Sequence, residues 1–127
     1  MRIMIADDSG TARMFIKQCL EITVEEEVEF LEAENGKQAL EQLKTEGVDL
    51  LITDLNMPVL DGRELIRRIV ASPKLNGTPI MVITSSGNQA RKEELLSMGA
   101  GAVLRKPINP MTIAEGLAAV ATREDVK

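Results

Sequence analysis

Five short apolar runs, each followed by a segment with helical spacing, constrain this chain more than any other feature. The runs cover residues 2–6, 28–33, 49–53, 79–83 and 102–105. Runs of this length, bounded by turn residues, read as strands, and those that are apolar throughout are buried on both faces. The second is weaker, because Glu29 and Glu32 interrupt Val28, Phe30 and Ala33. After the first run, Ala12, Phe15, Ile16, Cys19 and Leu20 fall on one helical face over about 10–22. Ala39, Leu40 and Leu43 do so over 36–46, and Leu65, Ile66, Ile69 and Val70 over 62–71. A fourth helix is predicted to stop at Gly99, where glycine readily ends helices. Pro110 opens a fifth with Ile113, Leu117 and Val120 inward. Strand–helix alternation repeated five times predicts a parallel sheet with helices on both faces. One such α/β unit accounts for all 127 residues, ordered over about 2–122, and no second domain is expected.

Several chemistries are excluded at once. The chain has no histidine, which removes Ser-His-Asp and Cys-His nucleophiles and His-ligated zinc. The one cysteine, Cys19, cannot form an internal disulfide and reads as a small core hydrophobe, so a reducing cytoplasm is expected. A net charge of −5 gives no footprint for nucleic acid or an anionic membrane. No apolar run approaches the roughly 20 residues of a spanning helix, and no signal-peptide core opens the sequence. What reacts here must use carboxylates, hydroxyls and lysine.

Those groups collect at the strand ends. Leu50-Leu51-Ile52-Thr53 ends on Asp54, and Pro58 prevents the strand from continuing. Working groups of open α/β sheets sit just past the carboxyl ends of strands, so Asp54 is expected to stand clear of the core and face solvent. The first strand ends on Asp7-Asp8, the fourth on Thr84 and the fifth on Lys106. Each has an ordinary explanation alone: Asp7-Asp8-Ser9 as a helix cap, Asp54 as a turn residue, Thr84 as strand material, Lys106 as a solvated charge. Caps have no reason to recur on every central strand, and the joint occurrence points to a site. Two carboxylates about 4 Å apart repel by roughly 4 kcal/mol at an effective dielectric near 20, so three need a cation. An oxygen-only donor set suits Mg²⁺ or Mn²⁺. Carboxylates accept phosphoryl groups covalently. With the Thr84 hydroxyl and the Lys106 ammonium as further partners, catalysis would rest on positioning and electrostatics.

At these residues the chain resembles the receiver domains of two-component response regulators, over essentially its whole length. The matches are Asp7-Asp8, Asp54-Leu55-Asn56-Met57-Pro58 followed by Asp61-Gly62, Thr84, Gly99-Ala100 and Lys106-Pro107. By layout it is most similar to single-domain regulators of the chemotaxis type. The resemblance implies a doubly wound, flavodoxin-like (βα)5 fold with strand order 2-1-3-4-5. It implies that Asp54 takes a phosphoryl group from a phosphohistidine on a sensor histidine kinase or phosphotransfer protein. Asp8 and Asp54 would ligate Mg²⁺ directly, Asp7 through water, and the backbone carbonyl of Asn56 would complete the set. Lys106 would hold the phosphoryl group, with the Lys106–Pro107 bond cis. Thr84 would move toward the phosphoryl oxygen and reshape the surface of helix four, strand five and helix five for a downstream protein target. Asn56 and Ser86 occupy positions where the family tunes the lifetime of the acyl phosphate, and Met57 lies beside Asp54, to cover the site or pack its loop. A cytoplasmic monomer whose only chemistry is on itself is expected, with chemotaxis favoured over a phosphorelay.

Val103 departs from the pattern, because receivers usually carry Tyr or Phe three residues before the lysine. Valine has one stiff χ1 and no ring to swing, so either the switch is weaker or the signal travels through the backbone after Thr84. Ile108 and Ser85 are milder departures. A phosphohydrolase with an aspartyl-phosphate intermediate would want a second acid where Asn56 stands. A receiver that only binds proteins is the third class. A flavin carrier would need a hydroxyl-rich loop after the first strand, and aromatic stackers this chain lacks.

Overall fold

The five apolar runs form the five strands of one parallel sheet in a computed structural model, which describes residues 1–85 and 87–125. The elements alternate as β1 (Arg2–Ala6), α1 (Gly10–Thr23), β2 (Glu29–Ala33), α2 (Gly36–Thr45), β3 (Leu50–Thr53), α3 (Gly62–Ala71), β4 (Ile80–Thr84), α4 (Gln89–Met98), β5 (Ala102–Arg105) and α5 (Pro110–Asp125). Strand order is β2-β1-β3-β4-β5, as the resemblance implies.

Alternate strand side chains feed two cores. Met4, Ala6, Leu51, Ile80 and Val82 pack with Leu40, Leu65, Ile66, Ile69 and Leu95 from α2, α3 and α4. Ile3, Ile5, Leu50, Ile52, Met81 and Ile83 pack with Ile16, Cys19, Leu20, Ile113 and Val120 from α1 and α5. Residues of β1, β3 and β4 are buried throughout or nearly so, which is why their sequences read as apolar runs rather than alternations.

Two residues expected in the core face water: Phe15 is 46% exposed and Val70 42%. Each is the sequence neighbour of a core residue (Ile16, Ile69), and neighbours on a helix point about 100° apart. A helix lying on a sheet buries only a stripe, and the larger side chain of the pair is not always the one inside it. β4 begins at Ile80 rather than Pro79, whose ring nitrogen cannot donate to the ladder, although the Pro79 carbonyl accepts from Leu51 N–H at 2.9 Å. Gly99 ends α4 with φ 127°, the expected glycine stop.

Candidate functional site

Parallel register brings the acids to one edge. Ala6 pairs with Thr53 across β1 and β3, so Asp7 and Asp54 leave adjacent strands at the same level. Asp54 N–H donates to the Ala6 carbonyl at 2.9 Å, and Asp7 N–H to the Ala33 carbonyl at 3.0 Å. On the other side Thr84 pairs with Arg105, and Lys106 N–H donates to the Thr84 carbonyl at 2.9 Å.

Each side chain is then braced locally. Asp7 Oδ1 accepts from Ser9 N–H at 2.9 Å, while the Ser9 hydroxyl caps α1 by accepting from Ala12 N–H at 3.1 Å. The cap is therefore Ser9, and Asp7 holds the turn before it. Asp54 Oδ1 accepts from Leu55 N–H at 2.7 Å, which leaves Oδ2 toward Lys106. The Lys106 Nζ donates to Asp7 Oδ2 at 3.0 Å and to Asp54 Oδ2 at 3.3 Å. Partial burial pulls the Lys106 pKa down. The hydrogen bond to Asp7 and the charge of Asp54 outweigh that pull and hold the ammonium above the usual lysine range.

The expectation that Asp54 faces solvent is corrected: it is only 7% exposed, and Asp7 1%. Leu55 N–H on Oδ1 and the Lys106 ammonium on Oδ2 close in its carboxylate, and its backbone is covered as well. Gly62, at the start of α3, approaches so closely that a Cβ there would collide with the Asp54 carbonyl, and Gly62 N–H donates to the Leu55 carbonyl at 2.8 Å. The loop thus folds back over its own strand end. Asp8 is exposed and has no hydrogen-bond or ion-pair partner among the described residues.

Carboxylate oxygens of Asp7, Asp8 and Asp54 lie within 4.8 Å of one another. Three negative groups face one ammonium, and the donor set contains only oxygen. A small hard cation fits such a set, with part of its shell as water, and partnerless Asp8 is the ligand already free to take it. Thr84 is buried at the end of β4, beside the strand that carries Asp54. Asn56 is exposed in the loop after Asp54. Met57 is buried in the core with Leu55 and Leu65, so it packs its loop. Val103 is half-buried on β5, and the Lys106–Pro107 bond is cis. Ser86 lies outside the described residues.

Arg13 is a residue that reading the chain in order overlooked. Its guanidinium donates to the Asp7 backbone carbonyl at 2.6 Å and pairs with Glu32 at 2.8 Å, tying α1 and β2 to the acid pair. Hydrogen bonds from Arg13 and Lys17 hold the Glu32 carboxyl below its ordinary range. The interruption of the second apolar run by Glu32 was the signal, since an acid in a strand beside a basic helix face invites pairing.

The comparisons with known proteins converge. A family model described as the response regulator receiver domain matches residues 3–118. A "Chemotaxis protein CheY homolog" of Campylobacter jejuni is 37% identical over 118 residues, 92% of this chain and 89% of that protein. "Chemotaxis protein CheY1" of Helicobacter pylori is 35% identical, covering 98% of this chain and all of that one. The high-resolution structure of the chemotaxis response regulator CheY4 of Vibrio cholerae superposes with a TM-score of 0.80 at 31% identity, over 94% of this chain and 97% of the other. With the acid trio, the bridging lysine and the sheet order already in place, this chain belongs to the response regulator receiver domain family.

Proposed function

We propose that this receiver is a Mg²⁺-dependent phosphoacceptor that works as a single domain and signals by changing its surface. The observation that carries the reading is the Lys106 ammonium held between buried Asp7 and Asp54, with partnerless Asp8 beside them. Asp7, Asp8 and Asp54, with the Asn56 carbonyl, would hold Mg²⁺, which when bound neutralises phosphoryl oxygens and the crowded acids. Asp54 attacks the phosphorus of a kinase phosphohistidine; a P–O bond forms, the P–N bond breaks, and its electron pair leaves on the imidazole. Lys106 exchanges a carboxylate oxygen for a phosphoryl oxygen, and the Thr84 hydroxyl donates to another. Water later hydrolyses the acyl phosphate, so the chemistry stays on the chain itself.

The names of the curated relatives support a place in chemotaxis, with a sensor kinase upstream, a protein target downstream and a cytoplasmic monomer between them. Among the described residues no helix is long and apolar enough to cross a membrane.

The test is direct. Incubation with a small-molecule phosphodonor and Mg²⁺ should add one phosphoryl group by intact mass. EDTA, or Asp54→Asn, should abolish the addition. Labelling that survives either change would sink the assignment.

A further inference from the structure

The two acids that follow β1 are held very differently. Asp7 is fixed at three points: its N–H donates to the Ala33 carbonyl at 3.0 Å, its Oδ1 accepts from Ser9 N–H at 2.9 Å, and its own carbonyl accepts from Arg13 Nη1 at 2.6 Å. Asp8 makes no hydrogen bond or ion pair among the described residues. Its direction therefore comes from the peptide units on either side. A peptide unit is planar, so whatever holds the Asp7 carbonyl also sets the Cα of Asp8. The Ser9 contact holds the unit after Asp8, and Arg13 holds the unit before it.

Arg13 is itself tightly placed. It ends the first turn of α1, and its side chain is only 13% exposed. Its Nε donates to Glu32 Oε1 at 2.8 Å, while Lys17, one turn along the same helix face, takes Glu32 Oε2 at 3.0 Å. Glu32 lies on β2, paired with Ile5 of β1. The planar guanidinium is thus pinned to the sheet at one edge and aimed at the Asp7 carbonyl with another, which a single ammonium cannot reproduce. Glu32 also offsets the two cations, which would otherwise stand uncompensated beside the acid rim.

We propose that Arg13 is a positioning residue for the divalent ion: it orients the Asp7–Asp8 peptide so that the Asp8 carboxylate meets those of Asp7 and Asp54. The inference rests on the proposed Mg²⁺-dependent function and names the residue that prepares its ion site. Outer partners that orient metal ligands change affinity by roughly ten- to a hundredfold. The sign of the effect is diagnostic. By charge alone, removing a cation near the rim tightens the binding of another cation; loss of positioning loosens it.

The experiment titrates the full ¹⁵N-labelled chain with MgCl2 and reads the dissociation constant from amide shifts at Asp8 and Asn56. Arg13→Met keeps an unbranched stem, removes the donors and should raise that constant about tenfold. Lys17→Met takes the same charge from the same glutamate without touching Asp7, and should leave the constant equal or lower. Labelling by a small-molecule phosphodonor should slow in Arg13→Met at limiting Mg²⁺. At saturation it should return to within about twofold of the parent, because Asp54, Thr84 and Lys106 are intact. Should the methionine variant not fold, Arg13→Lys decides: its one nitrogen keeps the charge without the fork, and it too should loosen the ion. Arginine variants that bind Mg²⁺ as tightly as the parent, or a Lys17→Met chain that loosens equally, would overturn the proposal. A parent chain that is labelled in Mg²⁺, with Arg13→Met unaltered, loses this inference alone. A parent with no Mg²⁺ shift at all loses the phosphoacceptor reading, and the inference with it.

Discussion

Val59 adopts φ 69°, and Leu60 N–H donates to the Pro58 carbonyl at 2.7 Å, closing a tight three-residue turn around it. A positive φ is uncommon for any residue with a Cβ and strained for a β-branched one. Val59 is also 74% exposed, so no packing compensates locally. Its neighbour holds the strained turn in place: the Leu60 carbonyl accepts from Gly36 N–H at 3.0 Å, pinning the loop to α2. Val59→Gly is expected to stabilise the fold by about 1 kcal/mol, relief of backbone strain outweighing glycine's greater unfolded entropy. A lower midpoint in urea for the variant would contradict this. Pro58 announces a turn, but nothing announces the positive φ at Val59, because that conformation is signalled by Gly, Asn or Asp. The acids, threonine and lysine were legible as residues because each ends an apolar run. The burial of Asp54 was not, since it depends on Lys106 reaching across from the end of β5 and on Gly62 closing over its backbone.

Among the elements, α4 is the most lightly seated. Leu95 is its one fully buried side chain among the described residues. Met98 at its end packs against the same core from a half-buried position, and the remaining attachments are polar: Asn88 caps its first turn by accepting from Arg91 N–H at 2.9 Å, and Glu94 takes both guanidinium nitrogens of Arg63, at 2.8 and 2.9 Å. A bidentate pair is well shaped but partly exposed, so its contribution is small. Asn88→Ala should cost about 1 kcal/mol and speed amide exchange in α4 while the central strands stay protected. Uniform loss of protection across α4 and β3 would show instead that α4 opens only with the whole domain. The helix itself was legible from its glycine stop. Its loose seating was not, because a polar segment with one buried leucine looks like any solvated helix until its neighbours are known.

For the whole molecule, the parallel sheet made the meeting of the strand ends foreseeable, because every carboxyl end must emerge on one edge. The energetic consequence is a rim with surplus negative charge. Mg²⁺ should therefore raise the unfolding midpoint with concentration, adding about 2.7 kcal/mol of stability at a hundredfold excess over its dissociation constant. Asp8→Ala should lose that increment and unfold no earlier than the parent in EDTA, because Asp8 makes no hydrogen bond or ion pair among the described residues. An unchanged Mg²⁺ response in the variant would remove Asp8 from the ligand set.

Lys106 reaches Asp7 and Asp54 at once, so a single ammonium serves two anions. Any visitor that takes over one of those oxygens changes the lysine's hold on the other, and reciprocity requires the lysine to alter that visitor's affinity by the same factor. The bridge is thus a coupling, and the rim cannot admit one occupant without changing its terms for the next.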